Sequence, residues 1–572
     1  MITRPLLLKI SLLCYIINSA LPLYAQNTSA LDTAPGVNPQ ATAPEATPTP
    51  VPAAGIPGGT SLLSNGDFSL ATLDRAWPDD WAKGESGIAW KQDGAKHFLS
   101  FVSQHPDQQV ELERVIDIPA GVAAVEFSAR YRVAGLKNGY SGGYDARTNI
   151  LFLDASSKPV GAAPPVIFSS GAKQWTTITE RFAVRKGAVK FLINPCLFRV
   201  KAGTLDIAEI HVTTIGEPDA SKVVAEDAAA AEKKAAEQKT ILEREAALPS
   251  KSPELKVSGN KLVTADGKTV WLQGMNVCGL EWLPEGNNPV WSVHVAIDDW
   301  KASVIRLPVM DSFWFGRGKG KFVSNDQEAY RAIVDQAIKV AAGKGAYIVL
   351  DLHRYLTPDD RCVEFWKDAA ARYKNNPAVL FDIMNEPHDT TWDIWRNGGE
   401  LVTKGKDART IQSVGMQGLV DAVRGTGAKN IIVAGGLGYA FDLTGIVKGY
   451  ALDDKGGNGI MYATHFYNWH KGWAKHFMEV AARYPILVGE CGADPHKMNF
   501  IPAKDQEDPY TWAPDAIGFI QKNHLNWTAW CLHTRATPNM LLDFDYYTPT
   551  PFWGAFVKDA LAGRQYQMKR ER

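Results

Sequence analysis

From Leu255 onward, short apolar runs alternate with helical stretches, and this alternation leaves few folds open. Eight runs read as strands: VWLQGMNV, SVIRLPV, AYIVLDLH, VLFDIMNEP, NIIVAGG, IMYATHFY, ILVGECG and NWTAWCL. Most are apolar along their length, as strands covered on both faces of a parallel sheet must be. Segments such as QEAYRAIVDQAIKVAAGKG and CVEFWKDAAARYKNNP carry helical periodicity between them. Eight such units predict a (β/α)8 barrel. A doubly wound open sheet is the rival, but no G-x-G-x-x-G follows an early strand, and polar residues end runs all around the set. A short hairpin, KVSGNKLVTADGKTV, is expected to close the barrel bottom.

The chain has 572 residues, more than one ordinary domain needs, so further folded units are expected. Residues 1–25 read as a cleavable export signal: Arg4 and Lys9 precede an apolar stretch, and Leu23-Tyr24-Ala25 offers a cleavage site. Residues 26–60 are rich in Ala, Pro and Thr and read as a disordered linker. Residues 61–215 carry period-two runs (QVELERVIDI, AAVEFSARYRV, TNILFLDA, WTTITERFAV, VKFLINPCLF, LDIAEIHV), which predict a β-sandwich. Residues 216–250, built from Ala, Glu and Lys, read as a solvated spacer, helical or disordered, and residues 251–572 hold the barrel.

A net charge of −1 argues against a nucleic-acid partner or an anionic membrane surface, both of which favour a basic excess. Beyond the signal lie Cys196, Cys278, Cys362, Cys491 and Cys531, odd in number and widely spaced. That pattern supports neither a disulfide framework nor a zinc site; buried free thiols are expected, with a pair between Cys491 and Cys531, on neighbouring strands, as the alternative.

A polar residue at the C-terminal end of a barrel strand points to where the loops build a site. Read in order, those tips carry Asn276, Arg306, His353, Asn385 with Glu386, Tyr439, His465 with Tyr467, Glu490 and Trp530. Any one of them has a structural explanation. Together they are hard to explain as packing, because buried polar groups are costly without partners. Two carboxyls at one end of a barrel suit cleavage of a glycosidic bond: one gives a proton, the other attacks the sugar carbon.

These residues carry a resemblance. The barrel resembles glycoside hydrolase family 5 over roughly residues 255–563, on Arg306 in VIRLP, His353 in LDLH, Asn385-Glu386-Pro387, His465 and Tyr467 in HFY, Glu490 in VGE, and Trp530 in the last strand. The resemblance implies retaining hydrolysis of a β-linked glycan, with Glu386 as acid/base and Glu490 as nucleophile. It implies support from Arg306, His353, Asn385, His465 and Tyr467, and a sugar floored by Trp530. The expected protein is an exported, monomeric endo-β-1,4-glucanase, secreted or periplasmic, acting on β-glucan without metal or cofactor. A β-mannanase uses the same machinery and stays open; a non-catalytic glycan-binding protein is the alternative of another class. Trp282, Trp392 and Trp395, in loops after the first and fourth strands, either line a glycan cleft or anchor those loops. The front domain resembles jelly-roll carbohydrate-binding modules through SNGDFS, WPDDW and LDIAEIHV, with Trp77 and Trp81 as core and Trp90, Tyr140 and Tyr144 as candidates for a sugar surface.

Overall fold

The period-two runs between Ile88 and Thr214 form two antiparallel sheets in a computed structural model that describes residues 57–84, 86–318, 326–403, 408–498 and 501–572. The expected export signal and residues 26–56 lie outside the described residues. The chain divides into two units, residues 1–232 and 233–572.

In the first unit, one sheet has the order Ile88–Asp93, Lys96–Ser103, Ala202–Thr214, Ala124–Lys137, Thr176–Ala183. The other runs Gln108–Glu111, Lys190–Val200, Ala146–Leu153, Pro159–Ala162, with Arg114–Asp117 and Val166–Ile167 paired alongside. Alternate residues of each sheet meet in one core: Phe127, Ala129, Tyr131 and Val133 from one, Ile150, Phe152, Phe191 and Ile193 from the other. Trp77 and Trp81 are buried in that core, their ring N–H groups donating to the carbonyls of Trp81 and Asn65. The candidate sugar surface is corrected here. Tyr144 is only 1% exposed and packs edge-on against Phe198, so it offers no face to a ligand. Trp90 packs against the core, donates to the carbonyl of Phe68 and has His97 stacked on it. Tyr140 is exposed.

The Ala/Glu/Lys segment folds as one helix, α1 (Asp219–Ala246), with Lys–Glu pairs at i,i+4 along its surface. It is not solvated throughout, as a plain spacer would be. In the first unit Ala220 and Val223 pack on Ala124, and Asp227 pairs with Arg185. In the second unit Leu242 and Ala246 pack on the barrel's helical layer, and Glu245 is buried, accepting from Lys344 at 2.7 Å and paired with His294 at 2.9 Å.

The second unit is a closed parallel barrel: β1 (Gln273–Asn276), β2 (Val304–Val309), β3 (Tyr347–Leu352), β4 (Val379–Asp382), β5 (Ile432–Gly435), β6 (Ile460–Tyr467), β7 (Ile486–Gly492) and β8 (Asn526–Ala529), with β8 hydrogen-bonded back to β1. All eight expected strands form, and closure rules out the open sheet. Four of the helices between them start where an Asp or Thr side chain caps free backbone N–H groups: Asp326, Asp359, Thr391 and Asp508. Leu255 and Leu262 of the predicted hairpin pack among Val304, Val349, Val433, Met461 and Leu487, plugging the N-terminal end. The C-terminal ends are left to polar residues.

Candidate active site

Because the strands are parallel, their last residues converge on one end of the barrel, and the side chains there meet around one cation. Arg306 on β2 is fully buried and uses its whole guanidinium. Its Nε donates to Asp382 at 2.9 Å, Nη1 to Asn276 at 3.1 Å and to Glu490 at 2.8 Å, and Nη2 to Asn385 at 2.7 Å. Asp351 lies 3.1 Å from Nη2. Burial works against the guanidinium's charge, and Asp351, Asp382 and Glu490 outweigh it, so Arg306 is held above its ordinary value. Asn276 is fixed in turn, donating to the carbonyls of Gly489, Thr528 and Ala529.

Glu490 is buried, and both its oxygens accept hydrogen bonds: one from Arg306, the other from the Tyr467 hydroxyl at 2.5 Å. Glu386, reached through the turn after β4, is paired with His465 Nδ1 at 3.0 Å. One carboxylate oxygen of Glu386, one ring nitrogen of His465 and one oxygen of Glu490 all lie within 4.8 Å of one another. Burial, and then the charge of Glu490, push the Glu386 carboxyl well above its usual range. Burial, and then Arg306, push His465 well below its own, so that ring is neutral. The close fit requires Gly489, where a Cβ would stand 2.8 Å from His465 Nε2. Asn385 accepts from Arg306, while its Nδ2 is buried with no partner among the described residues.

His353 follows β3. Its Nδ1 pairs with Asp351 at 2.7 Å, its Nε2 with the Tyr355 hydroxyl at 3.0 Å, and its ring lies parallel to Trp530, 5.7 Å away. Trp530 packs with Tyr467, Cys278 and Cys531, and Trp282 and Trp469 join this cluster half-buried. Cys531 lies in hydrogen-bonding contact with Cys278 rather than pairing with Cys491, and all five cysteines beyond the signal are buried free thiols.

The structure thus brings together Arg306, His353, Asn385, Glu386, His465, Tyr467, Glu490 and Trp530, and sets Trp282 beside them. It does not bring Trp392 or Trp395. Trp395 is fully buried with its ring N–H on the carbonyl of Gly435, and Trp392 packs edge-on against it and over Tyr450; both anchor their loop. Sequence reasoning missed Asp351, Asp382 and Tyr355. A signal for the aspartates was present, since a charged residue inside an apolar strand run needs a buried partner. A further carboxyl, Glu281, is also buried here; burial pushes it up to about 8 and its Oε1 has no partner among the described residues. Among the described residues, two three-donor clusters could hold a cation and each already has a cationic side chain: Arg306 at Glu386–His465–Glu490, and Lys344 at Glu245–His294–Asp298.

A closed parallel barrel with two carboxyls joined through a histidine at its C-terminal tips has the architecture of a glycoside hydrolase. The family model for cellulase (glycosyl hydrolase family 5) matches residues 263–536, and the barrel belongs to that family. Endoglucanase A of Butyrivibrio fibrisolvens is 30% identical over 225 residues, covering 37% of this chain and 45% of its own. Cellulase CelDZ1 of a Thermoanaerobacterium species is 26% identical over 299 residues, covering 49% and 70%. The chain therefore spans less than half the length of the first of these relatives. Among solved structures, a β-glucanase of Saccharophagus degradans is 22% identical, covering 55% of this chain and 94% of its own, with a TM-score of 0.44.

Proposed function

We propose that the barrel is a retaining endo-β-1,4-glucanase, exported to the periplasm or beyond. The observation that carries the retaining mechanism is the approach of the two carboxyls, whose oxygens lie within 4.8 Å. Retaining enzymes hold the pair roughly 5–5.5 Å apart, whereas inverting enzymes need roughly 6.5–9.5 Å to admit a water. Glu490, its two oxygens oriented by Arg306 and Tyr467, attacks the anomeric carbon. Glu386 passes its proton to the departing glycosidic oxygen as that bond breaks, which leaves a glycosyl ester on Glu490. Glu386, now a base, takes a proton from water as the water attacks the same carbon and frees Glu490. Burial beside Glu490 suits Glu386 to the first half of this cycle, because it keeps the proton available near neutral pH. The unpartnered Nδ2 of Asn385 is a ready donor for the 2-hydroxyl of the attacked sugar, a contact that strengthens in the transition state.

Glucan as the substrate is supported by the names of the relatives, an endoglucanase and a cellulase. Release of reducing sugar from carboxymethylcellulose but not galactomannan is expected; the reverse pattern refutes the glucanase assignment. Glu490→Ala should abolish turnover, and azide should restore part of it on an activated aryl cellobioside, giving an α-glycosyl azide. A Glu490→Ala protein with wild-type activity refutes the mechanism.

A further inference from the structure

The glucanase reading leaves unused a chain of hydrogen bonds that starts at a buried aspartate and ends at an exposed tyrosine. Asp351 is fully buried and His353 is 5% exposed, but Tyr355 is 48% exposed. Tyr355 also stands beside the acid: it is paired in register with Glu386, whose backbone N–H donates to the carbonyl of Arg354 at 3.1 Å. Its hydroxyl is held by a ring that lies parallel to Trp530. The phenol therefore stands on the cleft wall, adjoining both the acid-bearing turn and the Trp530 floor.

The direction of each bond follows from proton counting. Above about pH 7, the value to which burial raises it, Asp351 is ionised and, 3.1 Å from the Arg306 guanidinium, can only accept, so His353 Nδ1 must carry the ring proton. Burial pushes His353 down to about 3, so the ring is neutral and has one N–H. Nε2 is then a bare lone pair, and the bond to Tyr355 exists only if the phenol donates it. A phenol has one proton, and this one is spent. We propose that Tyr355 is a substrate-binding residue whose oxygen acts toward the cleft only as an acceptor, taking a hydrogen bond from one glycan hydroxyl next to the scissile bond. This rests on the glycanase reading of the site. It gives the cleft a sense of direction: a sugar hydroxyl able to donate is held, and a group that can only accept is refused.

Binding of cellotetraose and of its deoxyfluoro analogues, one hydroxyl replaced at a time, tests this. Fluorine occupies the site of a hydroxyl but has no proton to give. Calorimetry on Glu490→Ala protein at pH 8, above the value of about 7 to which burial raises Asp351, prevents turnover. At one position the fluoro analogue should bind about tenfold more weakly than cellotetraose, the loss of one hydrogen bond. Adding Tyr355→Phe should weaken cellotetraose by a similar factor and abolish the further penalty at that position alone. The melting temperature of Tyr355→Phe confirms that this exposed side chain was changed without unfolding. Penalties that add independently at every position, or unaltered binding by Tyr355→Phe, overturn the proposal, as does a parent that binds no cellotetraose. A wild-type enzyme that binds but does not cleave would refute the glucanase reading alone and leave this one standing.

Discussion

Replacing Arg306 separates what its charge does from what its shape does. Arg306→Met removes the cation from among Asp351, Asp382 and Glu490, all buried. Removing one partner of a buried ionic cluster costs about 3–5 kcal/mol, so this variant should melt far below wild type or fail to accumulate. Arg306→Lys keeps the charge but replaces a rigid fork with a single ammonium. The guanidinium makes four hydrogen bonds of 2.7–3.1 Å, to Asp382, Asn276, Glu490 and Asn385, which lie in different directions. An ammonium reaching two of these loses two, of which one goes to a carboxylate. Both are donated by a cation, so at about 1.5–3 kcal/mol each the loss is about 3–6 kcal/mol, shared between folding and catalysis. The share that falls on placing Glu490 should lower kcat roughly 10- to 100-fold, or about 1.4–2.7 kcal/mol. Dinitrophenyl β-cellobioside is the right substrate, because its leaving group needs no acid and the rate reports the nucleophile. Thermal melting of both variants completes the comparison. Wild-type kcat in Arg306→Lys, or equal melting temperatures for Arg306→Met and wild type, would refute the placement of this guanidinium at the centre of the site.

Glu386→Gln should lose about 10²–10⁴-fold on natural glucan and far less on dinitrophenyl cellobioside; equal losses on both would mean that Glu386 does not act as the acid. A protein starting at Lys233 keeps Leu242, Glu245 and Ala246, and one starting at Lys251 loses them, leaving Lys344 to Asp298 alone. The shorter protein should be less stable by about 2–4 kcal/mol and melt about 4–8 °C lower, with unchanged kcat on soluble substrate; equal melting temperatures would show that α1 contributes nothing to the barrel. Stability should also depend on pH in two opposed ways. Burial raises Asp351 from 3.8 to about 7, so the native state keeps a proton that the unfolded chain has released, and this contribution is lost as pH rises through about 7. Burial lowers His353 from 6.5 to about 3, so its contribution is present above 6.5 and lost as pH falls below it. Urea unfolding from pH 6.5 to 8.5 should therefore show declining stability, with a shallower decline in Asp351→Asn; an unchanged slope in that variant would refute the buried, proton-holding Asp351.

The amino-acid sequence determined the barrel and the membership of its polar end. An apolar run closed by a polar residue has one efficient placement, with the run inside and the polar tip where strands end, so Arg306, Glu386, His465, Tyr467 and Glu490 were legible one strand at a time. Local chemistry also determined the helix starts at Asp326, Asp359, Thr391 and Asp508, since an Asp or Thr before a periodic segment satisfies free N–H groups without reference to anything distant. Closure of the barrel decided the rest. Arg306 and Glu490 are 184 residues apart, and no local pattern says that one guanidinium will serve Asn276, Asp382, Asn385 and Glu490 together. Tryptophans were ambiguous for a related reason. The apolar ring of Trp395 or the phenol of Tyr144 reads the same in sequence whether the fold leaves it a free face or covers it, and both were covered. Tyr355 is the reverse case: it gains its role only because folding carries the buried Asp351–His353 pair up to it and spends its proton.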